Sequence, residues 1–252
     1  LVVTHVTHQS SARRGGPAYR GERPLRSALL ALGVLVLLHV LAGTAAAATG
    51  LADDRSRLFT ATASNQALVP DANALDLPGS FTIETWVKPG NVDNESTILE
   101  KRQSYALALR HGGLLQFQLV SPSTGTTGIW FDTGLVIPSG QWTHITFVKA
   151  GTTVRVYLNG TQEYVQSASA LDEYGVLYSI PATITATTGA LSIGSDEWQY
   201  APFDGRLSDL KIWGSARSAT LIAATYNLRF AADIGTWLMD EPSGATMRNS
   251  AQ

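Results

Sequence analysis

Four carboxylates and three aromatic rings crowd one stretch of this 252-residue chain. Asp196, Glu197, Asp204 and Asp209 follow one another closely, and hard cations such as calcium collect carboxylates and carbonyls from loops. These four are therefore the candidate calcium ligands. Among them lies the segment EWQYAPFDG, with Trp198, Tyr200 and Phe203 expected to be exposed enough to stack on a ligand. Aromatic faces beside polar groups are what a sugar ring packs against. Trp130, in IWFD, is a fourth aromatic candidate. Nucleophilic chemistry finds less material. The chain has no cysteine and no Gly-x-Ser-x-Gly elbow. His5, His8 and His39 lie near the start, His111 sits in a Gly-rich turn, and His144 reads as a buried, hydrogen-bonded group rather than a catalytic one.

The elements that must position these residues have a period of two. In residues 80–88, SFTIETWVK, Phe81, Ile83 and Val87 alternate with Thr82, Glu84 and Trp86. The runs THITFVK at 143–149, TVRVYL at 153–158, LLQFQLV at 114–120 and LSDLKIW at 207–213 repeat the habit. Turn residues divide them, and Asn159-Gly160 is a two-residue hairpin signal because both positions need positive φ. Residues 218–228, SATLIAATYNL, offer an N-cap serine and apolar positions at helical spacing. This single short helix should lie against the edge of a sandwich. The expected class is all-β: a two-sheet antiparallel sandwich with one short C-terminal helix, which the resemblance described next makes a jellyroll.

The ordered segments FTIETWVKP, TILEK, YALAL, GQWTHITFVKAGTTVRVYLNG, LSIGSDE and FDGRLSDLKIWGSARS resemble the laminin G-like jellyroll domains of the concanavalin A-like lectin/glucanase superfamily. The likeness covers about residues 57–228. It implies a binding or adhesion module that recognises glycans or extracellular proteins through loops at the sandwich edge, as part of a larger modular protein. Two other roles stay open, an accessory carbohydrate-binding domain of a glycoside hydrolase and a structural spacer of a surface protein. Catalysis is not expected, because the E-x-D-x-x-E strand of the family's glucanases is absent. The resemblance also implies calcium at the sandwich edge near Asp196. Yet the family's first-strand D-G-x-x-D reads Thr62-Ala63-Ser64-Asn65-Gln66 here, with only Asn65 to offer. Trp86, Trp142 and Trp213 match packing positions. The tail, GTWLMDEPSGATMRNSAQ, is similar to the segment that precedes a laminin G-like unit, so residues 235–252 either close this domain or begin a following repeat.

Residues 1–48 read as an address. A charge-free apolar run at 27–42 follows basic residues ending at Arg26 and precedes a run of alanines. These are the parts of a secretory signal peptide cleaved near Ala48, and the run is short for a membrane anchor. The mature chain would then be secreted or held at the cell surface, without a membrane span, its jellyroll occupying residues 49–234. The leader holds five arginines against Glu22 alone, so the remainder of a chain with net charge −2 is distinctly acidic. Such a domain lacks the basic footprint of a nucleic-acid binder.

Overall fold

The computed structural model describes residues 56–61, 65–123, 128–228, 233–237 and 239. Residues 1–55, on which the expected signal peptide and cleavage site fall, and Thr62-Ala63-Ser64 lie outside the described residues. Two antiparallel sheets face each other. Sheet A holds β1 (Arg57–Phe59), β3 (Phe81–Pro89), β8 (Thr143–Ala150), β9 (Thr153–Leu158), β10 (Thr161–Ser167), β14 (Gly205–Trp213) and β15 (Gly235–Trp237). Its order is β1-β14-β3-β8-β9-β10, with β15 also paired to β14. Sheet B holds β2 (Ala67–Val69), β4 (Ser96–Lys101), β5 (Tyr105–Arg110), β6 (Leu114–Leu119), β7 (Ile129–Val136) and β13 (Leu191–Ile193). Its order is β2-β13-β4-β5-β6-β7, and a small hairpin of β11 (Ser169–Leu171) and β12 (Leu177–Ser179) stands apart. The described residues are mostly strands in this jellyroll arrangement, with one α-helix among them, α1 (Ala219–Thr225). Of the tail, Gly235–Trp237 extends sheet A and buries Trp237.

The alternation seen in the sequence places Phe81, Ile83, Val87, Ile145, Phe147, Val154 and Val156 of sheet A toward Leu107, Phe117 and Phe131 of sheet B. Removing this apolar area from water is the main stabilising term. Asn159 and Gly160 both take positive φ, 50° and 80°, closing the β9–β10 hairpin. Phe203 is fully buried, against the expectation of an exposed ring. It packs edge-on to Phe59 at 6.4 Å, while Gly194 (φ 78°) leaves space into which a Cβ would collide with Phe59 at 2.1 Å.

Helix α1 lies over the outer face of sheet A, beside its edge strand β10. Ser218 caps it by accepting from the Leu221 amide at 3.3 Å. Ile222 packs with Val148 and Tyr157, and Tyr226 with Trp86 and Trp142. These contacts cover positions whose alternation would otherwise face water, so β3 is buried on both faces through Val87. Glu84 and Arg217 meet under this cover at 2.8 Å, with side-chain exposures of 0% and 8%. Arg217 also donates to Thr225 of the helix at 2.9 Å, and its backbone amide donates to Thr82 Oγ1. The pair thus joins strand, connecting segment and helix.

Breaking a buried pair leaves an uncompensated charge, which costs roughly 3–5 kcal/mol. Glu84→Ala should lower the unfolding free energy by about that amount. The double change Glu84→Leu with Arg217→Met should restore much of it. Urea denaturation checks both, and an additive double variant would contradict the coupling.

Candidate ligand-binding site

The outer face of sheet B carries no helix among the described residues. Cross-strand register lines up two neighbouring rows there. One runs Thr97–Ala108–Gln116–Asp132 across β4, β5, β6 and β7. The other runs Ser192–Glu100–Ala106–Gln118–Trp130 from β13 to β7. Alternate residues of a strand share a face, so Gln116 and Gln118 both project outward from β6 while Leu115 and Phe117 enter the core. The alanines on β5 are too small to fill the space between the glutamines and β4. A cavity of about 340 Å³ results, lined by Ser96, Thr97, Ala108, Gln116, Trp130 and Tyr174 among others.

Loops wall this floor. Asp172 accepts from the Tyr174 and Val176 amides at 2.9 and 2.7 Å, fixing a tight turn that carries Glu173 and Tyr174 to the cavity. Arg110 approaches Glu173 at 3.3 Å and Glu95 at 3.7 Å, so one guanidinium steadies both acidic walls. On the β4 side, the Thr97 amide donates to the Ala201 carbonyl at 2.9 Å, drawing the 195–201 loop against the rim. Register turns Gln116 outward with Thr97 and Ala108, while Ser96 stands opposite the core residue Leu109. Gln116 is only 3% exposed and its Nε2 makes no hydrogen bond. Buried polar groups are almost always satisfied, by protein, water or ligand, and this amide shares the cavity lining with the Trp130 indole.

The residues singled out in the sequence fall in different places. Trp130 lines the cavity. Trp198 and Tyr200 are 57% and 84% exposed, with ring centroids 6.3 Å apart, on the loop whose Ala201 reaches the cavity. Phe203 belongs to the core and has no exposed face for a ligand. The four carboxylates do not converge. Asp196 accepts from the Ala201 amide at 2.9 Å, and Glu197 pairs with Arg102 at 2.7 Å. Asp204 stands beside Gly90, its carbonyl accepting from the Gly90 amide. Asp209 is buried at the β14 bulge with φ 51°. Among the described residues no three Asp, Glu or His side chains gather as a cation site. As arranged, these residues do not fit a shared calcium. Glu100, which accepts from the Glu197 amide at 2.9 Å, has its carboxyl raised by burial. Sequence reasoning missed Gln116, Ser96, Thr97 and Ala108. The alternating LLQFQLV held the only local signal, two amides on one face.

Two opposed antiparallel sheets with a polar, aromatic cavity on one outer face define a lectin-like jellyroll. The chain belongs to the concanavalin A-like lectin/glucanases superfamily, whose laminin G-type family model matches residues 61–223. Among solved structures it is similar to a native heptameric SAP-like pentraxin from Limulus polyphemus, at 20% identity and a TM-score of 0.50, covering 75% of this chain and 90% of that one. It is also similar to a putative carbohydrate binding protein from Bacteroides ovatus, at 15% identity and a TM-score of 0.54, covering 77% of this chain and 55% of that one. No curated protein matches the sequence. Among the described residues no helix is long and apolar enough to cross a membrane.

His144 sits under α1, far from a catalytic role. It is 1% exposed, edge-on to Trp86 at 5.1 Å, with Nε2 3.8 Å from Glu84 and Nδ1 3.4 Å from Thr146 Oγ1. Burial, aided by the positive charges of Lys211 and Arg217, pulls its pKa down to about 3. The folded state therefore holds a neutral imidazole where the unfolded chain, near 6.5, takes a proton. Stability from this group is complete above about pH 6.5 and falls as pH drops toward 3, by up to about 1.4 kcal/mol per unit. Urea titrations between those limits should show the slope, and His144→Gln should flatten it. An unchanged slope in that variant would contradict the assignment.

Proposed function

We propose that this domain is an exported, non-catalytic module that binds glycans in the cavity bounded by Gln116, Ser96 and Trp130. The observation that carries the reading is the buried Gln116 Nε2, without a hydrogen-bond partner, in a cavity that a partly buried indole also lines. A sugar offers what these lack: hydroxyl oxygens for the amide and a C–H face for the ring. The acidic side chains at the rim, Glu95 and Glu173, can accept from further hydroxyls while Arg110 offsets their charge. The reading agrees with the lectin side of the family, and with the fold shared with the Bacteroides ovatus protein. Export rests on the leader-like composition of residues 1–48.

A glycan array probed with the full domain tests the proposal. Retention of one neutral glycan class is expected, weakened about tenfold or more by Trp130→Ala and roughly three- to tenfold by Gln116→Leu. Both variants should keep the wild-type melting temperature within a few degrees. Failure of the folded wild type to retain any glycan, or binding untouched by both changes, would overturn it.

A further inference from the structure

The cavity does not end the polar, aromatic surface. From its floor the second row continues through Gln118 and Ala106 to Glu100 on β4, and beside Glu100 stands the loop bearing Trp198 and Tyr200. That loop is held in four ways. The Glu197 amide donates to Glu100 Oε2 at 2.9 Å, Glu197 pairs with Arg102, Asp196 accepts from Ala201, and the Ala201 carbonyl receives the Thr97 amide. The Arg102 guanidinium lies 3.8 Å from the Trp198 ring centroid, covering one face of the indole while the residue stays 57% exposed. A large apolar ring so fixed and left in water is costly unless something covers it. Tyr200, at 84% exposure, extends the same platform.

We propose that Trp198 and Tyr200 form a second subsite, so that the outer face of sheet B binds a chain of several neutral sugar residues laid across its strands. This rests on the glycan reading of the cavity and adds the ligand's length and charge. Strands lie about 4.8 Å apart, so the three steps from β4 to β7 span roughly 14 Å. That length suits an oligosaccharide, with Trp130 at one end and the Trp198–Tyr200 platform at the other. Between them the rows carry the small, buried Ala106 and Ala108, which raise no bulky side chain in the path of a chain. Charge sets the class. Glu95, Glu100, Glu173 and Glu197 border the path, and the two arginines there, Arg102 and Arg110, are already paired with Glu197 and with Glu95 and Glu173. Four carboxylates against two guanidiniums leave the path net negative, which disfavours a sulfated or uronic chain, whereas neutral hydroxyls find acceptors.

The test is calorimetry on the whole domain with gluco-, xylo-, manno- and galacto-oligosaccharides of one to six units, and with a heparin hexasaccharide as the anionic probe. For one neutral series the affinity should climb with length and level off at about three or four units, with heparin not bound. Tyr200→Ala, and Trp198→Ala separately, should each weaken the longer oligosaccharides by roughly three- to tenfold and leave the shortest bound form unchanged. Tyr200 is nearly free of contacts, so its variant guards against a folding defect, and melting curves check both. Length-independent affinity, or full binding of hexasaccharides by both variants, would overturn the second subsite while leaving the cavity reading intact. Preference for heparin would overturn the charge assignment. No binding of any series by the folded wild type would remove both readings together.

Discussion

The buried contact between Glu84 and Arg217 decides which surface of the sandwich remains open. A carboxylate in the middle of a central strand would ordinarily face water, and burying it alone would be prohibitive. Arg217, with Lys211 nearby, supplies the compensating charge, while burial still pushes the Glu84 carboxyl upward. Since Arg217 also holds Thr225, satisfying the carboxylate fastens the C-terminal segment and α1 across sheet A. Ile222 and Tyr226 then complete a second, smaller apolar layer with Val148, Tyr157, Trp86 and Trp142. The centre of sheet A is thereby covered, and the outer face of sheet B is the surface on which we propose recognition.

That face has the character of a site. Its floor is built from strand positions, which hold side chains more rigidly than loops do, and its walls come from two braced turns. Asp172 fixes one through paired amide contacts, and Asp196, Glu197 and Glu100 fix the other. Of the acidic residues that suggest a cation in the sequence, Asp196 and Glu197 are thus used as loop fasteners. Asp196 accepts from the Ala201 amide and Glu197 pairs with Arg102, which together brace the aromatic platform.

Much of the fold could be read from local pattern. Strand alternation, the Asn159-Gly160 turn and the Ser218 cap each depend on a few neighbouring residues, and each occurs as expected. What escaped depends on distant partners. Glu84 has the period of an outward residue, and only Arg217, brought in from far along the chain, makes it an inner one. Phe203 shares a polar loop with Trp198 and Tyr200, yet Gly194 opens a slot that draws it to Phe59. Proximity in sequence suggests a carboxylate cluster, but a bulge at Asp209 and the seating of Asp204 against Gly90 send the side chains apart. The cavity was least visible, because Thr97, Ala108 and Gln116 become neighbours only through cross-strand register.

The most direct measurement is an amide NMR map of the domain titrated with the neutral oligosaccharide that it retains most strongly. Chemical-shift changes should concentrate on Thr97, Ala108, Gln116, Trp130 and the 198–201 loop, leaving β3, β8 and α1 still. Changes centred on Trp86, Trp142 and Tyr226, or on the turns around Gly90 and Gly140, with sheet B unmoved, would contradict the assignment of its outer face as the binding surface.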